Sequence, residues 1–124
     1  MSSTCAEVLT VEECRAGADV IADERLWSCV RHQCTSIEVR CGVEILKECR
    51  RRSVEAGGTI MGYALQKQGM TFFYSPVKEV YWCEEAAGPD CRVKAMIHEL
   101  AHSCGWEHKE GMGVPANEGD AQCE

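Results

Sequence analysis

Ten cysteines in 124 residues limit what this chain can fold into more than any other feature. That density sits at the edge of the range of disulfide-scaffolded proteins. The cysteines are Cys5, Cys14, Cys29, Cys34, Cys41, Cys49, Cys83, Cys91, Cys104 and Cys123. No two of them enclose just two residues, so the C-x-x-C spacing of thiolate zinc knuckles and thioredoxin-type redox motifs is absent. An even count without that spacing points to as many as five disulfides. It also points to an oxidising destination: periplasm, cell surface or extracellular space. Ten cysteines allow roughly 900 complete pairings. The short-range pairs Cys29–Cys34, Cys41–Cys49 and Cys83–Cys91 are plausible on spacing alone, and a Cys104–Cys123 bridge would brace the tail.

The length suits one domain, 1–124. Hydrophobic residues make up 45% and charged residues 27%, enough apolar surface to build a core, which argues against disorder. A formal net charge of −7 argues against a nucleic-acid partner, whose phosphates call for basic protein surface. The one basic run, Arg50-Arg51-Arg52, suits a helix C-terminus. No apolar stretch approaches the roughly 18 residues of a membrane-spanning helix. Met1 to Glu13 is polar and acidic and lacks the features of a secretory signal. Three routes reconcile that with an oxidising destination: a signal replaced by an expression Met, a domain of a longer secreted protein, or export without a cleaved signal.

Along the chain, residues 10–34 have helical character. Thr10 and Glu13 form a capping box, and Gly17 is the expected break into two helices. Val20, Trp27, Val30 and Cys34 recur near helical spacing as core positions. Residues 35–53 carry two patterns. Thr35 and Glu38 make a second capping box, with Ile37, Cys41, Ile45 and Cys49 following at i+4. Yet Ile37, Val39, Cys41, Val43 and Ile45 also alternate as on a strand. The helix formers from Leu46 to Arg52 favour helix, ended by Gly57-Gly58. Thr59–Leu65 and Met70–Ser75 suit a β-hairpin about Gln66–Gly69, and Val77–Cys83 a third short strand. One of these strands could be an edge that accepts an extended peptide. Asp90 then caps a helix from Cys91 to about Ser103, and a Gly- and Pro-broken loop follows Gly105.

That last helix carries the chemistry. It runs His98-Glu99-Leu100-Ala101-His102-Ser103-Cys104-Gly105-Trp106-Glu107-His108, or H-E-x-x-H-x-x-G-x-x-H. With this chain's own residue frequencies, chance would produce the long form about 4 times in 100,000. On a helix His98 and His102 lie about 40° apart, one turn up the same face, so both can reach one ion. Val93, Ile97, Leu100 and Cys104 fall on a different face and suit the core. Glu99, about 100° from His98, sits beside the metal and not on it, as a general base requires. Gly105 can turn the chain in a left-handed conformation and return His108 as third ligand. Three neutral nitrogens leave a fourth position open, the pattern of a catalytic zinc. His32, the remaining histidine, is incidental to this pattern.

These residues resemble the long motif of the metzincins, zinc endopeptidases that include astacins, serralysins and matrix metalloproteinases. The resemblance covers about 15 residues, and because the rest is shorter than a typical metzincin catalytic domain it implies a minimal or divergent member; with the cysteine count, the expected fold is a small disulfide-rich zincin-like α+β domain. That domain would have N-terminal helices, a short antiparallel sheet and a zinc-binding active-site helix. It implies zinc on His98, His102 and His108, Glu99 as general base, and a peptide or polypeptide substrate. It suggests Met112 for the methionine turn, closer to His108 than is usual. No Tyr follows His108 to act as the auxiliary donor some members have. A second resemblance, to deuterolysin-like aspzincins, would complete H-E-x-x-H with a downstream Asp; Asp120, with Glu118 behind it, is the candidate, although the family's G-T-x-x-Y-D pattern is absent. Two functions follow as expectations. One is a zinc endopeptidase, exported or injected as a bacterial toxin or effector domain, with an associated delivery or immunity partner. The other is a non-catalytic disulfide-rich binding module with structural zinc or none.

Overall fold

The computed structural model describes residues 1–5, 9–58, 60–63, 78–83 and 91–115. The first helix, α1 (Val11–Ala18), opens on the expected capping box: Thr10 accepts from the Glu13 amide while the Glu13 side chain accepts from the Thr10 amide. The break comes after Ala18 and not at Gly17. Gly17 stays helical because α1 packs closely at that point; a Cβ there would stand 2.5 Å from Cγ1 of Val93. Asp23 then caps α2 (Glu24–Ser36) by accepting from the Leu26 amide. Of the expected core positions, Val20 falls in the interhelix turn and is 54% exposed and Trp27 is half-buried beside Leu26, which takes the core place, while Val30 and Cys34 are buried as helical spacing requires.

Both patterns in residues 35–53 are used, one after the other. Glu38–Arg40 forms strand β2, and α3 (Val43–Ala56) follows, closed by left-handed Gly57. Thr35 does not cap a helix; it lies in the last turn of α2, where its hydroxyl donates to the His32 carbonyl. The arginine triplet stands a turn short of the α3 terminus. Arg51 and Arg52 pair there with Glu48, and Arg51 also with Glu55.

The sheet is mixed, correcting the antiparallel expectation. With β1 (Ser2–Ser3), β3 (Gly62–Tyr63) and β4 (Glu79–Trp82) added, the order is β1-β2-β4-β3. β1 pairs with β2 and β2 with β4 in parallel; only β3 and β4 are antiparallel. The helices between β1 and β2, and between β2 and β4, carry the chain back to start each strand at the same end, which makes parallel pairs. The expected strand Met70–Ser75 and the cap Asp90 lie outside the described residues.

Alternation along β4 sorts the two faces. Val80 and Trp82 join the main core with Val39, Leu26, Val30, Ile97 and Leu100. Tyr81 turns to the other face, where Tyr63, Cys49, Cys83, Ile45 and Ile60 form a small cluster under α3. Among the described residues four disulfides tie these layers: Cys5–Cys41, Cys14–Cys34, Cys29–Cys104 and Cys49–Cys83. Cys91 is disulfide-bonded as well. The short-range pairs expected from spacing do not form, nor does Cys104–Cys123, because Cys104 faces α2. No helix of the described residues is long and apolar enough to cross a membrane.

Candidate metal centre

Helix α4 (Arg92–Ser103) turns Ile97, Leu100 and Ala101 into the core and leaves His98 and His102 one turn apart on another side. Their Nε2 atoms are 3.1 Å apart. The helix closes on a Schellman motif: the Gly105 amide donates to the His102 carbonyl and the Trp106 amide to the Ala101 carbonyl. Gly105 takes φ 94°, the left-handed turn anticipated for it. The reversed chain enters a 3₁₀ turn, His108–Glu110, held by reciprocal bonds between Glu107 and Glu110. This brings Nε2 of His108 to 3.0 Å from that of His102 and 3.1 Å from that of His98.

Carbonyl oxygens orient two of the rings from behind. Nδ1 of His98 lies 2.7 Å from the Pro115 carbonyl, and Nδ1 of His102 lies 2.8 Å from the Trp106 carbonyl. A carbonyl only accepts, so each Nδ1 carries the proton and each neutral ring aims its Nε2 lone pair at the shared centre. Burial pushes His98 down to about 4 and lowers His102 as well, opposed by these same carbonyl bonds. Converging lone pairs repel unless a cation lies among them, so the donor set fits a divalent ion. Tetrahedral zinc nitrogens stand roughly 3.4 Å apart, a few tenths wider than found here. His98 is buried, His102 half-buried and His108 exposed, which leaves one side of the centre open to solvent.

Glu99 faces the sheet. It is 3% exposed, and among the described residues its carboxyl receives no hydrogen bond. Burial pushes it up to about 8, with the charge of Arg52 opposing. Gly62 of β3 lies directly against it. A Cβ at position 62 would stand 3.1 Å from Cγ of Glu99 and 2.9 Å from the Tyr81 carbonyl oxygen. Replacing Gly62 with Ala must therefore displace Glu99 or β3. The expected outcome is a loss of about 1–3 kcal/mol in chemical denaturation, with metal content unchanged, because none of the three histidines touches that contact.

Comparison with models of known protein families, with curated proteins and with solved structures found no match.

The three histidines singled out in the sequence come together, and Glu99 lies beside them on the helix. Asp120 and Glu118 lie outside the described residues. His32 sits on α2, bonded to Ser36. Met112 takes φ 55° between left-handed Gly111 and Gly113, and its carbonyl accepts from the Ala22 amide at 2.7 Å. It thereby latches the tail to the turn between α1 and α2. Sequence reasoning passed over Gly62, Arg52 and Trp106. Of these, Trp106 had a local signal, a large apolar residue just after a helix-ending glycine, the position that packs back on the helix in a Schellman motif.

Proposed function

We propose that this chain is a zinc-dependent endopeptidase, with His98, His102 and His108 as ligands and Glu99 as general base. The observation that carries the reading is the convergence of three Nε2 atoms within 3.1 Å, two of them in tautomers set by backbone carbonyls. The complete motif and its likeness to metzincins support the same reading. Zinc supplies Lewis acidity toward the scissile carbonyl and toward water. As general base, Glu99 would take a proton from the attacking water and return it to the leaving amine, a role that requires its carboxyl to be ionised and to swing from Gly62 toward the three Nε2 atoms. Its burial beside β3 keeps bulk water from that carboxyl, and an extended substrate pairs along β3, the outermost strand on that side among the described residues. The disulfides accord with an extracellular or periplasmic destination.

Elemental analysis of tag-free protein should find about one zinc per chain. His108→Ala should weaken binding by on the order of 100-fold or more, since it removes a ligand and not an outer-shell partner. Chelation should stop hydrolysis of an unfolded protein substrate, and added zinc should restore it. Zinc bound at full level, with no cleavage of a broad peptide library, would favour the binding module instead.

A further inference from the structure

Trp106 closes the back of the metal centre. Its indole is 1% exposed, and its ring centre lies 5.0 Å from His102, 5.3 Å from His98 and 5.5 Å from His108. It is held independently of those rings. Its amide donates to the Ala101 carbonyl, and its indole N–H donates to the Gly111 carbonyl at 3.2 Å. Its own carbonyl is the acceptor that orients His102. We propose that Trp106 is the positioning residue of this centre, an aromatic floor that sets the tilt of all three imidazoles and hence how tightly they hold a divalent ion. The inference rests on the metal reading above.

A buried indole wedged against three imidazoles at 80°, 51° and 71° excludes water from behind them and limits their freedom to tilt, leaving the His108 side as the approach. His98 and His102 have carbonyl partners at Nδ1, whereas no such bond holds His108 among the described residues. His108 is held by ring contacts instead: the His102 ring at 4.7 Å, the His98 ring at 5.0 Å and the edge-on indole of Trp106 at 5.5 Å.

The test is a cobalt(II) titration of the whole chain, followed by ligand-field absorption and by tryptophan fluorescence. It compares the wild type with Trp106→Phe, Trp106→Leu and the core control Trp82→Phe. The expected result is cobalt binding at least about tenfold weaker in both Trp106 variants and unchanged in Trp82→Phe, although all three lower the melting temperature. In the wild type cobalt should quench fluorescence, and the larger part of that quench should vanish in Trp106→Phe. Unchanged cobalt affinity in folded Trp106→Phe, or a quench that survives there, overturns the proposal and leaves the three-histidine site standing. No cobalt or zinc binding by the wild type overturns the metal reading, and this inference with it. If Trp106→Leu fails to fold, the Phe variant and the wild-type quench still decide.

Discussion

Glu99→Gln should lower peptide hydrolysis by about 10³-fold while zinc stays bound. The loss follows from the role assigned to Glu99, since general base catalysis is typically worth on the order of 10²–10⁴. Retention of zinc follows from the geometry. The three Nε2 atoms converge without Glu99, which turns instead toward Gly62. The same variant makes an opposite prediction for stability. In the metal-free protein, burial raises Glu99 from 4.5 to about 8. A group raised in the folded state contributes stability that is full below the unfolded value and lost as pH climbs through the folded one. Metal-free wild type should therefore lose stability between pH 4.5 and about 8, and Glu99→Gln should not. Relative to the variant, wild type should then lose roughly 4 kcal/mol across that window. His98 works in the other direction, because burial lowers it from 6.5 to about 4 and its contribution fades as pH falls through that window. It is common to both proteins, so the difference between their denaturation curves isolates Glu99. Equal hydrolysis by the two proteins would remove Glu99 from the reaction. Parallel pH curves would mean that its carboxyl is not buried uncompensated.

What was legible in the sequence was local. Thr10 and Glu13 make the box they imply because both bonds close within four residues. His98, His102 and Gly105 behave as their spacing requires because helix geometry and one left-handed turn determine their positions. Legibility ends where partners are distant. The alternation read from Ile37 to Ile45 holds only over Glu38–Arg40, where tertiary pairing with β4 makes a strand, and the helical spacing holds only from Val43 onward, so the helix favoured for residues 35–53 begins eight residues late. Ser2–Ser3 carries no apolar signature, yet it is recruited to the sheet edge by parallel pairing with β2. The described disulfides join residues 20 to 75 apart, so neighbouring cysteines gave no guide to them. Glu99 was legible as a residue, but its closeness to Gly62 was not, because only the packing of β3 on α4 creates it.

Removing the Cys29–Cys104 bridge should damage both the fold and the metal centre, and removing Cys5–Cys41 only the fold. The bridges close 75 and 36 residues, and constraint of the unfolded chain assigns each roughly 4 kcal/mol. Their surroundings differ. Cys5 and Cys41 follow β1 and β2, at the edge of the sheet opposite β3. Cys104 is the final residue of the α4 cap, fully buried, next to the glycine that turns the chain toward His108. A buried bond from Gln33 to Ser103, 3.0 Å long, ties α2 to the same helix end. The double Cys→Ala variant at 29 and 104 should thus unfold about 3–4 kcal/mol more easily and also bind zinc at least about tenfold more weakly, since His108 loses its anchored hinge. The double variant at 5 and 41 should lose comparable stability and keep its zinc affinity. Denaturant unfolding in chelator gives the first quantity, and competition with a zinc indicator under native conditions gives the second. Equal effects of both variants on zinc affinity would show that the centre responds to global stability alone, and the local brace at Cys104 would have to be abandoned.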